Sequence, residues 1–277
     1  MKKEQWYPGN MARAMRQLGA DLKLMDLVVE LLDARVPISS RNPALSRLIG
    51  DRDCLILLHK ADRAEPAVTA RWLSYFQRQD LQAVPFSVFA PAAYKTFHQT
   101  LKSRAAQMGP SRLKKPLRLM ITGIPNVGKS TLINLLVKKA AARTGNRPGI
   151  TRGRQWIRLM PGIELLDTPG VLWPNLSAET AVPLAVVGAL PPSRLDIQNL
   201  ALWLLNFYRQ RGFEELLLKR YALPSWDEPE AVLERIGAGQ GCLQSAGKID
   251  LDRAAALLLR DFQSGTLGRL TLEEPPV

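Results

Sequence analysis

The sequence predicts an α/β fold, a mostly parallel and doubly wound sheet threaded in circularly permuted order, followed by a small all-α domain. Two observations predict it. The pattern Gly123-Ile124-Pro125-Asn126-Val127-Gly128-Lys129-Ser130 follows a short apolar run at 117–122 and precedes a helical stretch at 131–137. Strand, glycine loop and helix in that order are the context in which this pattern is a P-loop. A guanine-type signal, His59-Lys60-Ala61-Asp62, ends another apolar run and stands before that loop. In an ordinary P-loop GTPase the base-reading motif follows the phosphate loop. This chain therefore begins in the middle of such a domain and completes it with the phosphate half: a circularly permuted P-loop GTPase domain.

The elements follow in that order. Residues 27–32 are apolar except for Glu30 and read as the first strand, ending at Asp33-Ala34-Arg35-Val36-Pro37. Cys54-Leu55-Ile56-Leu57-Leu58 is a compact strand running straight into His59. A helix near 71–79 leads to a strand at 83–87 and then to Ser87-Val88. The next helix, 94–104, carries His98, read as solvated or packed rather than catalytic. The stretch 103–116 is rich in Lys, Arg, Gly and Pro and reads as a linker at the join. After the phosphate half, 163–166 is an apolar run ending in Asp167-Thr168-Pro169-Gly170. An unpermuted domain needs its base-reading motif beyond Gly170. The Lys-x-Asp found there, Lys248-Ile249-Asp250, follows Ser245-Ala246-Gly247 and not a strand, so it reads as a turn with Asp250 opening a helix.

These residue types suit nucleotide chemistry. Glycines let the backbone N–H groups of 126–131 close around phosphate, and the helix N-terminus adds a favourable dipole. Asn126, Val127, Gly128 and Thr131 belong to that cradle. Lys129 reaches the β- and γ-phosphates and Ser130 supplies a hydroxyl to Mg²⁺. A glycine turn without chemistry would not need all eight positions. Asp167 and Gly170 lie about 40 residues further on, the spacing of a γ-phosphate sensor, with Asp167 reaching Mg²⁺ through water. Thr151, in Arg147-Pro148-Gly149-Ile150-Thr151, is the candidate second hydroxyl ligand; an isolated Thr in a turn would mean little without these neighbours. Asp62 can accept two hydrogen bonds from the guanine N1–H and N2–H₂ edge, which adenine does not offer, so the wrong base leaves a carboxylate unmatched. The Lys60 stem packs over the base, and Ser87-Val88 touches its far side. A P-loop kinase or ATPase fits less well, given Asp62, Thr151 and the Asp167–Gly170 signal.

At this point the chain resembles the circularly permuted GTPases of the RbgA/YlqF family, which assist assembly of the large ribosomal subunit. The match runs through Trp6-Tyr7-Pro8-Gly9-Asn10-Met11, Asp33-Ala34-Arg35-x-Pro37, the phosphate loop and Asp167–Gly170, and continues in Gly241-Cys242 and Asp261-Phe262-x-Ser264-Gly265-x-Leu267-Gly268. The resemblance implies a GTPase that cycles between GTP and GDP with Mg²⁺. Its partners would be the large subunit or its precursor and rRNA, and its C-terminal domain would bind RNA. It also marks two departures. The family's base-reading motif opens with Asn where this chain has His59, and it shows a His, linked to hydrolysis, where this chain has Asn10. Val171 stands where other GTPases place a water-orienting Gln. The catalytic set is then Lys129 and Thr151, with Asn10 orienting water but unable to accept a proton as imidazole does. Asn126 ligates K⁺ in potassium-stimulated relatives; here that role and a loop-shaping role both stay open.

Charge narrows the partner. The net charge is +13, and residues 1–177 carry 28 Lys and Arg against 12 Asp and Glu. From Leu81 to Ile163 there are 15 basic residues and no acidic one. A run of one sign points to a polyanion, and RNA phosphate fits better than a membrane, since no apolar stretch is of spanning length. The N-terminus lacks the apolar core of a signal peptide, and two cysteines make neither a disulfide framework nor a zinc site, so a cytoplasmic protein is expected, monomeric when free. Residues 1–176 are the expected GTPase domain and 177–277 a helical RNA-binding-like domain. In the latter, Ile197, Leu200, Ala201, Leu204, Leu205 and Tyr208 share a helical stripe behind Ser193-x-x-Asp196, read as a capping box. Further helices are expected near 213–221, 230–236 and 250–262. An RNA face there would be local, at Arg209, Arg211, Lys219 and Arg220. The expected function is a GTP-hydrolysing assembly factor for the large subunit. The alternative is a nucleotide-gated RNA-binding protein with little turnover.

Overall fold

A computed structural model describes residues 16–107, 115–144 (backbone alone for 140–144), 156–166, 176–190, 196–245 and 247–276. They fall into two compact units, one made of residues up to 176 together with 273–276, the other of 177–272. The first unit is built on a six-stranded sheet. In chain order it contains helix α1 (16–22), β1 (Leu27–Asp33), α2 (Pro43–Ile49), β2 (Cys54–His59), a 3-10 turn (Ala61–Arg63), α3 (Pro66–Gln77) and β3 (Gln82–Phe86). Then come α4 (Pro91–Gln107), β4 (Leu117–Thr122), α5 (Lys129–Thr144), β5 (Trp156–Met160) and β6 (Ile163–Leu166). The sheet order is β3-β2-β1-β4-β6-β5, with β5 alone antiparallel.

Sheet order and chain order together express the permutation. The central pair β1 and β4 is parallel, with Glu30 opposite Thr122, yet β1 leads outward to β2 and β3 while β4 leads the other way to β6. That is a topological switch point, where the carboxyl ends of neighbouring strands open a crevice. The ends of β1, β2 and β4 deliver Asp33, His59 and Gly123 to it. β1 is buried along its whole length, as a strand covered on both faces must be.

One polar group interrupts that strand. Glu30 is 1% exposed, and on its face one apolar cluster (Leu22, Val28, Leu45, Ile49) lies toward one end and another (Leu32, Ile56, Val68, Trp72, Phe76) toward the other. Arg41 answers it at 3.3 Å and lies over the Phe76 ring at 5.8 Å. Burial pushes Glu30 above the usual carboxylate range, and Arg41 opposes the shift. Cys54, at the start of β2, lines a polar cavity of about 300 Å³ with Glu30 and Arg41, and burial pushes its thiol up to about 12, an unreactive state.

Several short elements escaped the sequence reading. α2 is only seven residues long, started by Asn42, whose side chain accepts from Ala44 and Leu45 N–H, and stopped by Gly50 at φ +55°. β5 is an edge strand turned through Pro161 and Gly162 (φ +77°), with Arg118 stacked 4.7 Å over Trp156. α4 continues to Gln107, into the stretch read as a linker.

The second unit contains α6 (Ala178–Val186), α7 (Ile197–Gln210), α8 (Glu214–Tyr221), α9 (Pro229–Gly239) and α10 (Leu251–Ser264). The stripe Leu200, Ala201, Leu204, Leu205 and Tyr208 is buried. The capping box needs correction: α7 starts at Ile197, so Asp196 is itself the N-cap and accepts from Gln198 and Asn199 N–H. Ser193 lies outside the described residues. Asp250 caps α10 in the same way, accepting from Arg253 N–H. Tyr208 donates to the Leu267 carbonyl (3.1 Å), tying the chain after α10 to α7, and Tyr221 donates to Asp261 (3.1 Å), tying α8 to α10.

Removing one member of the Glu30–Arg41 pair leaves a buried charge. Arg41→Leu is expected to destabilise the first unit on the order of 3 kcal/mol, and adding Glu30→Leu to recover most of it, as read by urea unfolding.

The candidate nucleotide site

The phosphate loop takes its shape from two close approaches. Gly123, at φ +148°, passes so near β1 that a Cβ there would stand 2.6 Å from the Leu31 carbonyl. Gly128, at φ +113°, would place a Cβ 2.5 Å from the His59 imidazole. Between them Asn126 is left-handed at φ +55°, and Val127 is buried. Lys129 is 8% exposed and its ammonium donates to the Gly123 (3.1 Å) and Ile124 (2.6 Å) carbonyls. The cation is therefore folded over the loop where phosphate oxygens would sit. Ser130 and Thr131 are exposed at the first turn of α5.

The base-reading half is fixed by a buried carboxylate. Asp33, 0% exposed at the end of β1, accepts from Arg35 Nε (2.9 Å) and Nη2 (2.8 Å) and from Lys60 Nζ (2.9 Å). Burial alone would raise its pKa, but the Arg35 and Lys60 charges hold it well below the usual range. Its N–H donates to Ser40 Oγ (3.0 Å). The N–H of Ala34 donates to the His59 carbonyl (2.7 Å). Lys60 itself is left-handed, φ +59° and ψ +32°, a strained state for a lysine that the Asp33 contact holds in place. Asp62 is the middle residue of the 3-10 turn, 3.7 Å from Arg63 Nε and partly exposed. Ser87 is buried beyond β3, its Oγ accepting from Phe89 N–H (3.2 Å), and Val88 follows it partly exposed.

His59 joins the halves. Its ring is 3% exposed, 5.9 Å from the Phe86 ring, against Gly128. Its Nδ1 is buried without a protein hydrogen-bond partner. Burial first, then the Lys60 charge, lower its pKa from 6.5 to about 4; Asp33, Asp62 and the Phe86 backbone oppose the shift. The ring is neutral at physiological pH.

The structure thus brings His59, Lys60, Asp62, Ser87 and Val88 to the strand ends beside the loop of Asn126, Val127, Gly128, Lys129, Ser130 and Thr131. Asn10, Thr151, Asp167, Gly170 and Val171 lie outside the described residues. The sequence reading missed the part of Asp33: a strand-end carboxylate beside Arg35 was in view, but its pairing with Lys60, 27 residues on, depends on β1 lying against β2.

Comparison with known proteins agrees with this geometry. The family described as "50S ribosome-binding GTPase" matches residues 118–216, from β4 onward. A Priestia megaterium protein called ribosome biogenesis GTPase A is 42% identical over 98% of this chain and 96% of its own length. The chain belongs to the ribosome biogenesis GTPase A family. The family's Thermotoga maritima protein is 32% identical over 98% of this chain and 94% of its own. Mouse mitochondrial ribosome-associated GTPase 1 is 32% identical over 97% and 89%. Among solved structures, GNP-bound YlqF from T. maritima superposes with a TM-score of 0.69 at 30% identity, covering 95% of this chain and 98% of the other. The family identifies the chain as a GTPase that binds guanine nucleotide.

The His59 shift has a measurable consequence. Its folded pKa is depressed, so the unfolded chain takes up the proton first as pH falls. Stability is expected to drop between pH 6.5 and about 4, by at most about 3 kcal/mol, and His59→Asn to lose less over that window in pH-resolved denaturation.

Proposed function

We propose that this GTPase is an assembly factor for the large ribosomal subunit, that it binds rRNA or a subunit precursor according to its nucleotide state, and that it acts in the cytoplasm. The observation that carries the nucleotide part is the contact of the base-reading loop with the phosphate loop, His59 against Gly128, at the switch point. In this reading Asp62 accepts from guanine, the Lys60 stem covers the base, and Ser87 and Val88 line its far side. The N–H groups of 126–131 and Lys129 hold the phosphates, with Gly170 meeting the γ-phosphate. Lys129 leaves the loop carbonyls for phosphate oxygens when nucleotide enters. Mg²⁺ fits Ser130, a hydroxyl exposed at the helix start beside the lysine, with Thr151 directly and Asp167 through water completing the set. Bound, the ion would neutralise charge on the transferring phosphoryl group. K⁺ at Asn126 belongs to the same proposal, and the left-handed turn there supports a loop-shaping role equally.

The partner follows from charge and from the relatives' names. Among the described residues no helix is long and apolar enough to cross a membrane. The run from Leu81 to Ile163, with 15 basic residues and no acidic one, favours a polyanionic partner. In the helical unit, proposed as an RNA-binding domain, Arg209 pairs with Glu228 (3.4 Å) and Arg220 with Asp261 (2.7 Å). Arg211 instead lies over the Phe207 and Phe213 rings, and Phe207 stacks on Trp203 at 5.6 Å. An arginine with aromatic planes suits unpaired bases better than phosphate alone.

Two measurements test the reading. Asp62→Asn is expected to turn preference from guanine toward xanthine nucleotides, because an amide can donate to the xanthine O2; equal wild-type affinity for ATP and GTP would refute guanine selection. Hydrolysis by the free protein is expected to be slow, since neither Val171 nor Asn10 can act as a base. Single-turnover GTP hydrolysis should rise with large subunits, fall again at high salt, and start from a higher basal rate in Asn10→His. No stimulation under any condition would favour a nucleotide-gated RNA-binding protein with little turnover.

A further inference from the structure

The chain leaves the first unit after residue 176 and returns to it at Glu273. The returning segment lands on the loop that follows β1. The Glu273 carboxylate accepts from the backbone N–H of Ile38 (2.8 Å) and from that of Ser39 (3.2 Å). Two further contacts hold the segment in place. Trp72 Nε1, from the fully buried tryptophan of α3, donates to the Glu273 carbonyl (3.0 Å), and Arg71 makes a forked pair with Glu274 (2.6 and 2.8 Å). Burial pushes the Glu273 carboxyl above the usual range, offset in part by the hydrogen bonds from Ser39 and Ile38. A carboxylate that accepts from two successive N–H groups fixes the backbone it binds.

That backbone is the platform of the base-reading loop. Ser40, next to Ser39, donates to the Val36 (2.7 Å) and Pro37 (3.3 Å) carbonyls while its Oγ accepts from Asp33 N–H. Asp33 then holds Lys60, and the N–H of Ala34 holds the His59 carbonyl. Each link is short, and none passes through the sheet interior. Nothing in the P-loop chemistry requires a residue more than 200 positions away from Lys60 to touch this loop. Glu273 nevertheless accepts from two successive backbone N–H groups of this loop.

We propose that Glu273 is a positioning residue for guanine binding: by clamping Ile38 and Ser39 it sets the loop after β1 so that Asp33 holds Lys60 in its left-handed conformation over the base. The inference rests on the assignment of His59–Asp62 as the guanine-reading loop. It makes base affinity depend on chain that returns from the helical unit, which the order of motifs in the P-loop domain does not suggest.

The test is a double-variant cycle on the full chain, reading GDP affinity by titration. Glu273→Ala is expected to weaken GDP binding about tenfold, the effect of losing a charged hydrogen-bond acceptor. Glu273→Gln, which keeps one acceptor, should fall between that variant and wild type. If Glu273 acts through Lys60, Glu273→Ala combined with Lys60→Ala binds no worse than Lys60→Ala alone. Losses that multiply would mean a merely structural role and would overturn the proposal, as would unchanged affinity in Glu273→Ala. Should that variant fold poorly, Glu273→Gln enters the same cycle with the same criteria. Asp62→Asn run in parallel separates the two readings: if it leaves guanine preference intact, the base-reading assignment itself fails; if it shifts preference while Glu273→Ala changes nothing, only the clamp fails.

Discussion

Asp33 sits at the end of the central strand with no exposure to solvent, and its carboxylate holds one cation from its own loop and one from the loop after the neighbouring strand. A buried charge with fewer partners would destabilise the sheet, so Arg35 and Lys60 are needed together. Their joint effect overcomes the burial that would otherwise neutralise the acid. Because β1 and β2 are parallel and in register there, with Asp33 opposite His59, one ion cluster sets the geometry of both strand ends. The phosphate loop is then placed by backbone approach: Gly123 against Leu31, Gly128 against His59.

The phosphate loop, which comes later in the chain, fits against the ends of β1 and β2. Glycine at 123 and 128 is what allows that fit, since any side chain would collide with backbone at one position and with an imidazole at the other. His59 in place of the family's asparagine makes the second contact bulkier. It also leaves a buried ring nitrogen without a protein partner, held neutral by burial and by the Lys60 charge.

The helical unit is stabilised differently. Its core is an apolar stripe on α7 packed against α9 and α10, and the buried Tyr208 hydroxyl reaches the chain beyond α10. Arg209, Arg220 and Arg235 each face a carboxylate, and Arg211 lies over two aromatic rings, so the unit's net charge says little about where it could meet RNA. Among the four basic residues singled out there from sequence, packing distinguishes them where composition could not.

How much of this was legible in advance depends on the range of the interaction. The strand runs at 27–32, 54–58, 117–122 and 163–166 are apolar segments bounded by polar signals, so local hydrophobicity identified them. The phosphate loop and the guanine signal are contiguous motifs whose chemistry is carried by residue type and spacing, and their inverted order alone implied the permutation. The family departures at Asn10 and His59 were also visible there. What the sequence left open were features that rest on contacts between distant segments. The short helix α2 depends on one Asn cap and on burial of Leu45 and Ile49. Asp196 is the cap because α7 begins at Ile197, three residues later than a box capped by Ser193 requires. The pairing of Asp33 with Lys60, the pressure of Gly128 on His59 and the hold of Glu273 on Ile38 and Ser39 join residues 27, 69 and 235 positions apart. No local pattern encodes them, because hydrogen bonds and van der Waals contacts act over a few ångströms, and only the folded sheet brings those residues within that range.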